Sequence, residues 1–144
     1  THCISSAASD VYKRQVINIM KNEWFKQLPN IKFILSHAGA FLPYAADRIA
    51  LVESGVIGYD KVLSTLRNFY FDIALTGPHA MAPLFEFAHP ERIRFGSDWS
   101  YAFCAISKWS TTNLESNKIV DGAAKERINR KNVEGLFPRL AEYN

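Results

Sequence analysis

Two residues combine a reactive side chain with a demanding position. His37 follows an apolar run in "IKFILSHAGAFLPY" (31–44), and Asp98 closes a second one in "RIRFGSDWS" (92–100). An imidazole titrates near neutrality, which suits it to proton transfer or metal ligation. A carboxylate at the end of an apolar strand must be paired, hydrogen-bonded or metal-bound to offset its lost hydration. The small residues Ala38, Gly39 and Ala40 leave room beside the imidazole, and Gly96 and Ser97 allow close backbone approach to Asp98. The inert alternatives are a histidine satisfied by backbone partners and an aspartate acting as a salt-bridge partner or helix N-cap.

Other side chains form an outer set. Arg48 comes eleven residues after His37 and reads either as a surface helix residue or as an anchor for a substrate carboxylate, which a guanidinium forks well. Trp99 stacks on an aromatic ring or simply packs. Asp72, inside "FYFDIAL" (69–75), faces the sheet interior or pairs with a neighbouring base, structural pairing being the stronger reading. His79 and His89 fall in a turn and in the loop "AHPER", positions of surface or capping residues. Cys3 and Cys104 have no metal-like spacing, so a reducing, cytoplasmic setting is the expectation.

Periodicity supplies the elements that hold these residues. "VINIMKNEWFKQLPN" has helical spacing and stops at Pro29-Asn30, "IKFILS" is a buried strand, and "AADRIALVES" is a helix ended by Gly55. "YDKVLSTLRN" is a helix, "FYFDIAL" a strand, and "HAMAPLFEFA" a helix that tolerates Pro83 only in its first turn. "RIRFGSD" is the third strand, and the text from Tyr101 is mostly helical. Three nearly continuous apolar strands alternating with helices predict an α/β fold with a parallel sheet covered on both faces. Such folds place function at the C-terminal ends of strands, where His37, Thr76-Gly77 and Asp98 all fall.

Composition excludes several classes. With 144 residues, 48% hydrophobic and 13% aromatic, the chain suits one globular domain with a real core. No stretch approaches the ~20 apolar residues of a membrane span. The net charge of +3 is spread along the chain, and its densest basic run, "KERINRK" (125–131), is interrupted by Glu126. It reads as a solvated helix face and not as a nucleic-acid surface. The opening "THCISSAASDVYKRQ" has no periodicity, and its end resembles the translation of a transposon-end adapter. Residues 1–15 are therefore read as a non-native adapter-derived tail, against a genuine flexible tail, and residues 16–144 as the domain. His2 and Cys3 are not recruited as ligands.

The ordered set "PNIKFILSHAGAFLPY…R", "FYFDIAL", "RIRFGSDW" and "NVEGLFPRL" resembles the C-terminal half of the amidohydrolase-related family, which includes aminocarboxymuconate-semialdehyde decarboxylase and the salicylate-type decarboxylases. The resemblance implies a partial (β/α)8 TIM barrel, about strands six to eight with their helices. It implies a divalent-metal decarboxylase of a small aromatic or unsaturated carboxylic acid, or a metal-dependent hydrolase, with zinc the expected metal. His37 then matches the catalytic strand-six histidine and Asp98 the strand-eight aspartate that binds or faces the metal. Arg48 falls where members place a substrate-carboxylate arginine, in some across a dimer interface, making a homodimer one expectation for the intact protein. Trp99 is assigned to substrate binding. The family's H-x-H pair and strand-five histidine have no counterpart here, and a whole barrel needs ~250 residues. The chain alone is therefore expected to be an inactive half-barrel.

Overall fold

The computed structural model describes residues 14–142. Residues 14–21 form α1, and α2 is Trp24–Gln27. Then follow β1 (Ile34–Leu35), a turn at His37–Gly39, α3 (Leu42–Ile57) and α4 (Tyr59–Leu66). β2 (Tyr70–Asp72) leads into α5 (Pro78–Phe87), and β3 (Ile93–Arg94) into α6 (Cys104–Ser116). α7 (Gly122–Glu126) and α8 (Asn132–Leu136) flank a π turn at Arg127–Lys131. The three strands make a parallel sheet in the order β1-β2-β3, so the expected α/β alternation is present. The expectation for residues 1–15 lies, up to residue 13, outside the described residues; Arg14 and Gln15 belong to α1.

Strand register sorts the side chains onto two faces. Leu35, Phe71 and Ile93 are in register, as are Ile34 with Tyr70 and Asp72 with Arg94. Along β2 and its flanks, Phe69, Phe71 and Ile73 are fully buried, as the two-residue period of a strand requires. They meet Leu66, Met81, Leu84 and Leu114 in the core. The Phe25 ring stands edge-on to Phe69 at 4.9 Å and to Phe33 at 5.6 Å, a favoured aromatic arrangement. The opposite face is only partly covered: Tyr70 and Asp72 are half-buried and Ile34 is 42% exposed, while Arg94 is buried there against Tyr70. Coverage of both faces, predicted from the apolar runs, is thus corrected to full coverage of one and partial coverage of the other.

Asn132 locks the last helices to the sheet. Its side-chain amide donates to the carbonyls of Pro90 and Ile93, both at 2.7 Å, while Phe95 N–H donates to the carbonyl of Ile128 at 2.8 Å. Within "KERINRK" only Ile128 is buried, in keeping with a solvated helix face.

Four local expectations need correction. The helix predicted from Val16 breaks at Asn22–Glu23, where Glu23 adopts a left-handed φ of 53°. α3 runs through Gly55 and ends at Gly58, because Gly58, with φ 89°, takes the conformation that stops a helix. Pro83 lies inside α5 and not in its first turn, which Pro78 occupies. The carbonyl that Pro83 leaves without a donor is that of exposed His79. The strands are also shorter than their apolar runs, since β1 ends where the chain turns left-handed at His37.

Candidate functional site at the strand ends

A parallel sheet sends all three C-terminal strand ends to one edge. His37 hangs beyond β1, Asp98 beyond β3, and Thr76-Gly77 follow β2 between them. With neighbouring strands ~4.8 Å apart, β1 and β3 run roughly 10 Å from each other. The two sequence-predicted residues therefore share a rim, on either side of the end of β2.

His37 is held from the middle strand. Its main-chain N–H donates to Asp72 Oδ1 at 2.9 Å, and the same oxygen accepts Ala74 N–H at 3.0 Å. The ring Nδ1 lies 3.2 Å from the Ala74 carbonyl oxygen. A carbonyl can only accept, so Nδ1 carries a proton in that bond and Nε2 is left as the reactive nitrogen. The Ala74 carbonyl also accepts the buried Thr76 hydroxyl at 3.1 Å. Asp72 is thus neither paired with a base nor idle. It binds two backbone N–H groups, one of them 35 residues away, a role that strand register creates and residue spacing does not reveal. Its only sequence signal is a carboxylate inside an aromatic strand.

Asp98 has a left-handed φ of 57° and is half-buried. Its main-chain carbonyl accepts Ala102 N–H at 2.7 Å, whereas its carboxylate has no hydrogen-bond or ion-pair partner among the described residues. Ser107 ties α6 to this loop through its hydroxyl and the Ser97 carbonyl at 3.3 Å. Trp99 is 67% exposed, with its N–H on Ser97 Oγ at 3.3 Å. Arg48 is exposed on α3 and also lacks a partner among the described residues. Both are exposed, and neither side chain has a hydrogen bond or ion pair to His37 or Asp98 among the described residues. His79 and His89 are exposed as well.

The rim is open on its unpaired side. A cleft of about 630 Å³ lies elsewhere and is lined in part by Met20, Lys21, Phe25, Glu53 and Lys61. Its mixed lysines and glutamates offer no convergent reactive pair. Among the described residues no group of three or more His, Cys, Asp or Glu side chains stands ready for a metal ion. No helix there is long and apolar enough to cross a membrane.

Comparison with known proteins adds ancestry to this geometry. The family model described as Amidohydrolase matches residues 12–132. A 6-methylsalicylic acid decarboxylase of Penicillium expansum is 32% identical over 88% of this chain and 41% of its own length. A solved structure described as amidohydrolase II is 33% identical, with a TM-score of 0.76 over 85% of this chain and 40% of that one. A dihydroxybenzoic acid decarboxylase from Polaromonas sp. JS666, solved with manganese and 2-nitroresorcinol, shares the fold at 23% identity and a TM-score of 0.64, over 79% of this chain and 36% of that one. The chain spans about two fifths of the length of the curated relatives it matches.

Proposed function

The chain belongs to the amidohydrolase family, and from that premise we propose that it is the C-terminal barrel portion, strands six to eight, of a metal-dependent decarboxylase acting on a small aromatic carboxylic acid. The decarboxylase names of its relatives support the reaction class, and the half-open sheet fits a barrel whose remaining strands lie outside this chain. On the same reading the adapter-derived tail read at residues 1–15 gives way to the domain near α1, which already holds Arg14 and Gln15, and the protein works in the cytoplasm.

The observation that carries the proposal is the bond from His37 Nδ1 to the Ala74 carbonyl, 3.2 Å. It keeps one ring nitrogen protonated and leaves Nε2 to exchange the proton that the reaction needs. In decarboxylation the bond between ring carbon and carboxylate breaks, carbon dioxide leaves, and the carbon takes up one proton. An imidazolium at His37 delivers that proton from Nε2 and is recharged from solvent. Its Nδ1–H stays on the Ala74 carbonyl throughout. Arg48 takes the substrate carboxylate and Trp99 stacks on its ring, once substrate and the rest of the barrel close over both.

The residues present fit a divalent cation in part. The Asp98 carboxylate is free of protein partners among the described residues, and a carboxylate oxygen suits zinc or manganese. Such ions take about four to six ligands, so most would come from beyond the described residues. When bound, the cation supplies positive charge that polarises an oxygen beside the departing carboxylate. Zinc is the proposed metal, and the Polaromonas structure makes manganese its competitor.

The test uses the whole protein, supplied with 6-methylsalicylate and a panel of hydroxybenzoates, with released carbon dioxide measured. His37→Ala is expected to lower turnover by about 10²–10⁴-fold with an unchanged circular dichroism spectrum. Turnover within twofold of wild type would refute the assignment. Hydrolysis of an amide or ester panel without carbon dioxide release would replace the decarboxylase reading with a hydrolase.

A further inference from the structure

His37 opens a turn in which four consecutive residues have positive φ: His37 56°, Ala38 57°, Gly39 69° and Ala40 54°. Residues with a Cβ avoid this region because that atom crowds the following carbonyl oxygen, and three of the four carry one. Local preference therefore does not hold the turn. From within, Gly39 N–H donates to the Ser36 carbonyl at 3.0 Å and Ala40 N–H to the His37 carbonyl at 2.8 Å. The remaining hold comes from β2. Asp72 Oδ1 takes the N–H of His37 at 2.9 Å and that of Ala74 at 3.0 Å, and the Ala74 carbonyl takes the His37 ring proton at 3.2 Å. The hydrogen bonds close a circuit from His37 main chain through Asp72 and Ala74 to the His37 ring.

The proposed reaction gives Asp72 no task, yet it is a half-buried carboxylate with no cation in ion-pair range among the described residues. Its space is also reserved, since a Cβ at Gly96 would lie 3.0 Å from both its Cβ and its Cγ. We infer that Asp72 is the positioning residue of His37: one carboxylate oxygen pins the left-handed turn to the end of β2 and, through Ala74, fixes which ring nitrogen carries the proton. Asp72 acts as an acceptor of two N–H groups, so an amide oxygen serves in its place and a methyl group does not. The catalytic consequence rests on His37 being the proton donor; the positioning itself does not.

The experiment begins with this chain, labelled with ¹⁵N and ¹³C. In wild type, scalar couplings across the hydrogen bonds are expected from the His37 and Ala74 amides to Asp72 Cγ, and long-range imidazole correlations are expected to show the Nδ1–H form. Asp72→Asn keeps both signatures. Asp72→Ala moves His37 toward the Nε2–H form that free imidazole side chains prefer. Absence of both couplings in wild type, which needs no variant to fold, overturns the inference, as does a folded Asp72→Ala chain that keeps the Nδ1–H form. In the whole protein, Asp72→Ala is expected to lower kcat about 100-fold with KM within about threefold, and Asp72→Asn to stay within about threefold of wild type. Equal loss in both variants overturns a role through acceptor geometry. A tautomer shift in Asp72→Ala, together with full turnover in His37→Ala, upholds the positioning and removes the decarboxylase assignment of His37.

Discussion

Gly96, just beyond β3, and Asp72 at the end of β2 meet so closely that a Cβ at position 96 would stand 3.0 Å from the Asp72 Cβ and Cγ, and 3.2 Å from the Ala74 Cβ. Asp72 cannot retreat without stretching its two N–H bonds, and Ala74 is buried. Gly96→Ala is therefore expected to destabilise the chain by about 1–3 kcal/mol, the usual cost of overpacking. It should also shift the His37 amide resonance. Urea unfolding and an amide spectrum check this; an unchanged midpoint would mean that Asp72 has slack.

Two glycines in neighbouring segments should respond to alanine with opposite signs. Gly39 has φ +69°, and a Cβ there would stand 2.9 Å from Cε1 of Phe71, a ring that is fully buried and cannot swing away. Backbone strain and overpacking together put Gly39→Ala at about 2–4 kcal/mol of lost stability. Gly55 sits inside α3, and a methyl group there would meet nothing within 4 Å. Gly55→Ala should gain about 0.5–1 kcal/mol, because alanine loses less backbone freedom on folding. Chemical denaturation of both variants decides it, and a stabilising Gly39→Ala would contradict the left-handed turn.

These positions also show what sequence can and cannot reveal. The rim is legible because apolar runs ending in His37 and Asp98 mark strand ends whichever residues surround them. The left-handed turn is not, since histidine and alanine carry no signal for positive φ and only Gly39 hints at it. Gly55 and Gly58 look alike in the text, and only the packed helix shows that the second one stops it. Asp72 reads as a paired acid in the sequence because its distant partner, the His37 N–H, is set by register with β1, which no spacing encodes, while Ala74 N–H is local. Apolar strands imply two-sided coverage, but Ile34 and Tyr70 face a side that this chain covers only in part.

Arg94 is buried on that partly covered face. It is 4% exposed, its guanidinium carbon lies 4.1 Å from the Tyr70 ring centroid, and its Nε has no hydrogen-bond partner. No carboxylate pairs with it among the described residues. Burial pushes its pKa below the ordinary arginine value, with Tyr70 opposing and Arg92 adding to the fall. A base with a lowered folded pKa weighs against folding wherever it is charged in both states, and that penalty lifts only as pH rises through the folded value. Arg94→Met exchanges this charge and its stacking on Tyr70 for an apolar side chain. It is expected to leave stability unchanged or raise it by about 1–2 kcal/mol, by the same amount from about pH 5 to about pH 9, because arginine stays charged throughout. A loss above about 1 kcal/mol would show that stacking outweighs the unpaired charge.

On the proposed reading, metal binding separates this chain from the whole protein. Even counting His37 Nε2, proposed as the proton donor, beside the proposed ligand Asp98, the rim offers two donors, and no third His, Cys, Asp or Glu forms a metal-sized group with them among the described residues. Two donors fall short of the about four that a tight zinc site requires, and a ligand that does not bind the folded state cannot stabilise it. Titration of this chain with zinc or manganese is expected to give no stoichiometric heat, and chelation with EDTA to leave its melting temperature unchanged. In the whole protein EDTA should abolish turnover and added metal restore it, while Asp98→Ala should prevent that restoration. Tight one-to-one binding by this chain alone would mean that it holds a complete site and that the missing ligands need not come from the rest of a barrel.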